Sequence, residues 1–197
     1  MTNTSDPSDF VLAEYNALRG EILKRSEIQH QLISFALAAL GALAAVGLKD
    51  TPSALLAYPI LVLFLAVGWT YNDLQIAQIG LYIKHRIEGH LAATGQGWQH
   101  TILSQRPSRE IGSLAKLATR GMYWGTEILA VGLYLLMTLP SRPIRLDEPR
   151  AEDVLLIISI VATVVTMWVM RNRDSVVREI EQDMERGGSA APTKRAN

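Results

Sequence analysis

Four runs of the chain, residues 31–48, 54–70, 121–139 and 153–170, are almost free of charged side chains. Each has about the length that a helix needs to cross a hydrocarbon core of roughly 30 Å. No water is present at that depth to satisfy peptide groups, so only helices and closed barrels can span it. The runs lack the alternation of a barrel strand, which leaves helices. One such run could be a buried helix of a soluble protein; four in 197 residues point instead to an all-α fold, a four-helix transmembrane bundle with spans at about 31–48, 54–70, 121–139 and 153–170. The second run is the shortest, and its helix is expected to continue past Tyr71.

Composition removes several function classes. A formal net charge of zero gives no globally basic surface for nucleic acid. The chain has no cysteine, which excludes disulfides, thiolate catalysis and cysteine metal sites. Residues 1–30 combine an acidic start with a polar amphipathic stretch, unlike the basic region and short apolar core of a cleavable signal, so the first span itself is expected to be the anchor.

The basic residues orient the spans. Arg19, Lys24 and Arg25 precede the first; Lys84, Arg86, Arg106, Arg109, Lys116 and Arg120 lie between the second and third; Arg171, Arg173, Arg178, Arg186, Lys194 and Arg195 follow the fourth. Those fifteen share one side, against four (Lys49, Arg142, Arg145 and Arg150) on the other. Lysine and arginine resist translocation, so the richer side should be cytoplasmic. The expected location is the inner (plasma) membrane, multi-pass, with both termini in the cytoplasm.

The cytoplasmic flanks carry helical stripes of their own. Val11, Tyr15, Leu18 and Ile22 recur at helical spacing before the first span, and Ile76, Ile79, Ile83, Ile87 and Leu91 recur after the second. Between the two spans, Gly47 lies near the end of one helix, Thr51 is a candidate N-cap, and Pro52 suits a first helical position. A tight turn there makes two antiparallel helices of about forty residues each, on the order of 60 Å long. Residues 9–93 therefore read as one helical hairpin, half in the membrane and half a coiled-coil-like cytoplasmic stalk. Residues 94–108 should be a cytoplasmic loop broken by Gly95, Gly97 and Pro107. A second hairpin should occupy 109–186, with Ser108 as its cap, Ile111, Leu114 and Ala118 packing on the stalk, and little structure in residues 140–150. Residues 1–8 and the tail 187–197, which opens with Gly187-Gly188, are expected to be disordered.

Glu127 is the most informative single residue, about two turns inside the third span. An ionisable group at that depth costs at least a few kcal/mol if it faces lipid, so it should face the bundle or a hydrated cavity. It reads either as part of a proton or ion pathway or as a structural hydrogen-bonding group. Asn72 and Asp73 follow Trp69 and Tyr71 at the cytoplasmic end of the second span, where aromatics mark the interface. An ion pair between Arg25 and Asp73 is expected to set the register of the hairpin, with a gate as the alternative role. Gly121 and Gly125 form a GxxxG, and Gly41 lies in the small-residue stretch 36–45. Small side chains let helix backbones approach closely, within one bundle or between protomers.

Glu27-x-x-His30 and His85-x-x-Glu88 have the spacing of di-iron bundles. In the antiparallel hairpin they stand more than two turns apart, so no metal site is expected and solvated polar faces account for both. No Ser/His/Asp set, nucleotide-binding glycine loop or pair of intramembrane carboxylates is present, and neither an enzyme nor a cofactor is expected.

Two stretches carry a resemblance. Glu14-Tyr-Asn-Ala-Leu-Arg19-Gly-Glu-Ile22 leading to Gln29-His-Gln31, and Tyr58-Pro-Ile-Leu61 through Gly68-Trp69 to Tyr82-Ile83 and Arg86-Ile-Glu88, resemble an uncharacterised family of small bacterial integral-membrane proteins. The resemblance covers about the first ninety residues and implies no reaction. In architecture alone, a cytoplasmic helix, two spans and a returning cytoplasmic helix look like the SLATT-type membrane effectors of bacterial conflict systems, which are proposed to form pores; the present chain adds two further spans. The expected function is that of a non-enzymatic, self-associating membrane protein forming or regulating an ion-permeable path. The alternative is a membrane-anchored scaffold or sensor whose stalk docks a soluble cytoplasmic protein. The lipid bilayer is the partner in either case.

Overall fold

The computed structural model describes residues 7–88, 109–139 and 150–189, and those residues are all-helical, with no strand. Helix α1 spans Pro7–Lys49. A 3₁₀ turn, Pro52–Leu56, leads into α2, Ala57–Tyr82, which continues through a single π turn at Ile83–Ile87. Helix α3 spans Arg109–Thr138 and α4 spans Ala151–Ser189. The termini differ from the sequence-based expectation at both ends. Pro7 and Ser8 already belong to α1, as proline at a first helical position allows. Gly187 and Gly188 continue α4 rather than ending it. The expected loop 94–108, most of the 140–150 connection, Leu91, Ser108 and the tail beyond Ser189 lie outside the described residues.

Among the described residues, three helical stretches are long and apolar enough to cross a membrane: Asp9–Lys49, Pro52–Ile87 and Ala151–Asp183. Helix α3, expected as a fourth, is not among them. Tyr123, Trp124, Glu127 and Tyr134 make it less apolar, and three of them, Tyr123, Glu127 and Tyr134, are turned into the bundle and buried.

Side-chain links define how the helices run. Helices α1 and α2 are antiparallel: Gln29 Nε2 donates to Trp69 O at 3.5 Å, and Tyr82 Oη donates to Glu14 Oε1 at 2.9 Å. Helices α2 and α4 are parallel, joined by Ser159 with the Leu56 carbonyl, Asp73 with Arg173, and Lys84 with Glu181. Helix α3 runs antiparallel to α4, through Arg120 with Asp174 and Glu127 with Thr166. The charge-rich end is therefore wider than the expected two-helix stalk, because α4 lies beside α2 as far as Glu181. Tyr15, Leu18 and Ile22 are half-buried there, whereas Val11 stays exposed.

At the opposite end the turn is closed by backbone bonds from Asp50 and Thr51 to the Val46 carbonyl, at 3.0 and 3.3 Å. Thr51 is the cap residue, but its side chain makes no capping bond. Gly47 has a packing role instead: a Cβ on it would stand 2.7 Å from Leu55 Cγ. Leu55 and Leu56 are fully buried and pack with Tyr134 and Leu156 into an apolar plug.

The distribution of side chains is that of a protein dissolved in lipid. Phe35, Phe64, Ile128, Leu136, Val164 and Trp168 are exposed on the outer faces of the four helices, while Thr70, Glu127, Ser159 and Thr166 are buried. An exposed apolar belt of this kind would drive aggregation in water and is the ordinary surface of a membrane-embedded bundle.

Candidate functional site

The buried polar residues gather around Glu127. On α4, Ser159, Thr163 and Thr166 recur at spacings of four and three, which puts three hydroxyls on the face that meets α2 and α3. Ser159 Oγ is 2.6 Å from the Leu56 carbonyl and 2.7 Å from Leu155 O, and Thr163 Oγ1 donates to Ser159 O at 3.0 Å. Thr166 Oγ1 donates to Glu127 Oε1 at 2.9 Å. Glu127 is fully buried, and its second oxygen, Oε2, makes no hydrogen bond with the described residues.

Around this carboxyl stand further polar atoms without a described partner: the hydroxyls of Tyr58 and Tyr123 and the indole Nε1 of Trp124. The Tyr58 phenol has Thr126 and Glu127 as its polar neighbours. The Tyr123 ring packs on Trp69 with centroids 6.4 Å apart and planes tilted by 57°. No cationic side chain lies within the apolar segments: α1 has no ionisable group between His30 and Lys49, and α4 has none between Asp153 and Arg171. The site thus holds one carboxyl, one hydroxyl bond to it and unused hydrogen-bonding capacity on two helices. Buried polar atoms are ordinarily paired, and each unpaired one costs on the order of 1–3 kcal/mol. Such a cluster is suited to taking up a small polar species.

A charged layer borders the site toward the charge-rich end. Arg173 pairs with Asp73 and, through Nη1, with Asp174 Oδ1 at 2.9 Å; Arg120 Nη2 meets Asp174 Oδ2 at 2.8 Å. These contacts tie α2, α3 and α4 together. The expected Arg25–Asp73 pair is therefore corrected. Arg25 Nη1 donates to Asn72 Oδ1 at 3.4 Å and its Nε lies 2.7 Å from Glu21 Oε1, one turn away on the same helix. Asp73 is taken by Arg173 because α4 reaches the same level on the other side of α2. Asn72 also donates to Gly68 O at 2.9 Å, which anchors it to its own helix. Asn72 and Asp73 thus lie one full turn or more from Glu127, in the layer below it.

Of the two settings expected for the glycines, within one bundle or between protomers, the first does not apply. A Cβ on Gly41, Gly121 or Gly125 would meet nothing within 4 Å, so these positions make no close helix contact inside the bundle. Among the described residues no group of three or more His, Asp or Glu side chains could hold a metal ion. Sequence reading missed Arg173, Tyr58, Tyr123 and Thr166. The spacing of Ser159, Thr163 and Thr166 was the available signal for the hydroxyl face.

Comparison of the chain with protein-family models, with curated proteins and with solved structures yields no match.

Proposed function

We propose that this is a non-enzymatic integral membrane protein of four spans that self-associates and forms or regulates an ion-permeable path, with Glu127 as the ionisable group of that path. The observation that carries the reading is the buried Glu127 carboxyl with one unpartnered oxygen, set among unpartnered hydroxyls of α2 and α3. The parallel course of α2 and α4 supports α3 as the fourth span. The chain leaves α2 at the charge-rich end and enters α4 at the other, and α3 lies antiparallel to α4 between them. An even number of spans, with the excess of arginine and lysine at that end, supports a cytoplasmic location for both termini, in keeping with the resemblance to small bacterial membrane proteins.

Self-association is supported by one outward face of α3. Leu117, Gly121, Gly125, Ile128, Gly132 and Leu136 follow one another at spacings of 4, 4, 3, 4 and 4, and each glycine has open space above it. A second copy could approach closely along that stripe.

Ion flux from proteoliposomes tests the function. The wild type should be leaky, and Glu127→Gln, which keeps the Thr166 contact, should change the flux by about tenfold or more, equivalent to ~1.4 kcal/mol on the barrier. A second reading, a scaffold whose cytoplasmic helices dock a soluble protein, is favoured by Phe10, Leu12 and Leu23, which remain exposed on the cytoplasmic part of α1. Membranes equally tight with wild type and Glu127→Gln would favour the scaffold and count against conduction.

A further inference from the structure

Hydrogen-bonding capacity around Glu127 is unevenly distributed along the bundle. On the turn side it is already committed: Ser159 serves the Leu56 and Leu155 carbonyls, Thr163 serves Ser159 O, and Thr138 donates to Tyr134 O at 2.7 Å. Beyond them, Leu55 and Leu56 seal the bundle against Leu156 with no exposed surface of their own. On the charge-rich side, the Tyr123 hydroxyl and Thr70 Oγ1 are buried and make no hydrogen bond with the described residues. Tyr123 lies one turn from Glu127 on α3, about 6 Å along the axis. Thr70 shares that level, since its neighbour Trp69 packs on the Tyr123 ring. Three residues further along their helices stand Asp73 and Arg120, both in the charged layer. Tyr58, two residues from the plug, also keeps an open hydroxyl, but Leu55 and Leu56 close the bundle beyond it; toward the other end the open positions continue from Glu127 Oε2 to the charged layer.

The groups facing Glu127 favour a proton over a metal cation. They are Tyr58 from α2 and the neutral hydroxyls of Thr163 and Thr166 from α4, with Tyr123 one turn away on its own helix; α1 contributes no ionisable group in its apolar segment. One carboxyl without a second carboxylate or histidine is a poor cage for a divalent ion. An uncompensated carboxylate with a single hydroxyl bond is costly when buried, and a proton on Oε2 removes that cost.

Resting on the reading of Glu127 as the ionisable group of the membrane interior, we infer that it is a proton-exchange site open to the cytoplasm alone. The carboxylic acid of Glu127 releases its proton from Oε2 to water admitted beside the Tyr123 and Thr70 hydroxyls, which have no protein partner and so hold that water by hydrogen bonds. The proton then passes the charged layer beside Asp73 and Arg173 to cytoplasmic water. The reverse sequence recharges Glu127, and the apolar plug keeps the outer face from taking part.

A hydrophobic carbodiimide, which adds to protonated carboxyls in apolar surroundings, reports the state of Glu127 when the adduct is located by mass. The full-length protein is reconstituted in vesicles whose two faces are buffered separately, with Glu127→Gln as the control that must remain unlabelled at this position. Raising the cytoplasmic pH should reduce labelling, by up to about tenfold per unit once the site titrates, while raising the outer pH should leave it unchanged. Tyr123→Phe and Thr70→Val should each slow the response to a cytoplasmic pH jump by about tenfold without altering the final level. Labelling that follows the outer pH, or that is indifferent to pH on both sides, would overturn the inference. Protection by sodium at fixed pH would overturn it in favour of a cation site. Proton exchange in a protein that passes no ions would sustain the inference and remove the conduction reading instead.

Discussion

Replacing Arg173 with alanine should destabilise the protein by about 2–3 kcal/mol, whereas Arg25→Ala should cost only about 0.5 kcal/mol. Arg173 is the member of the charged layer that touches both Asp73 of α2 and Asp174 of α4, and its side chain and that of Asp73 are each only 19% exposed. Removing one partner of a buried pair typically costs 3–5 kcal/mol, because the other is left buried and charged. Partial exposure, and the Arg120 that remains on Asp174, reduce that here. Arg25 pairs with Glu21 on the same helix, whose side chain is 48% exposed, and such i,i+4 pairs contribute a few tenths of a kcal/mol. Unfolding of both variants in mixed detergent micelles by an added denaturing detergent provides the comparison. Equal losses, or a larger loss for Arg25→Ala, would mean that the hairpin pair sets the register after all.

Gly47→Val should cost about 2–3 kcal/mol, while Gly41→Ala on the same helix should be neutral or stabilising by up to about 1 kcal/mol. At Gly47 a Cβ would lie 2.7 Å from Leu55 Cγ, and Leu55 cannot yield easily because it is fully buried in the plug against Tyr134 and Leu156. At Gly41 nothing lies within 4 Å, so only the improved helix propensity is felt. The same unfolding titration reads both. A tolerated valine at position 47 would show that the turn is looser than the packing implies.

The apolar helices were legible because length and lack of charge act locally and require no knowledge of neighbours. Glu127 stood out for the same reason, as an isolated carboxyl in an apolar run. The partner of Asp73 was not legible. The antiparallel pairing of α1 and α2 follows from a short turn and brings Arg25 near, but the parallel packing of α4 on α2 depends on side chains far apart in sequence. Helix α3 was read as a span despite its polar residues, and the structure explains those residues: Tyr123, Glu127 and Tyr134 face inward. Gly121 and Gly125 announced close packing, but a glycine pair does not say whether its neighbour is the same chain or another. The hydroxyls of Ser159, Thr163 and Thr166 recur at helical spacing but were not read as a site, because what they bond to depends on the bundle.

Every functional statement about Glu127 requires α3 to cross the bilayer with both termini on one side. The absence of cysteine makes that directly measurable. Single cysteines placed at Ser5, Thr51, Ser141 and Ser189 in otherwise unchanged full-length protein can be challenged in intact cells with a membrane-impermeant maleimide. Positions 51 and 141 should be labelled, and positions 5 and 189 only after the membrane is permeabilised. Labelling of 5 and 189 from opposite sides would contradict this topology, because α3 would then not span and Glu127 would not lie within the membrane.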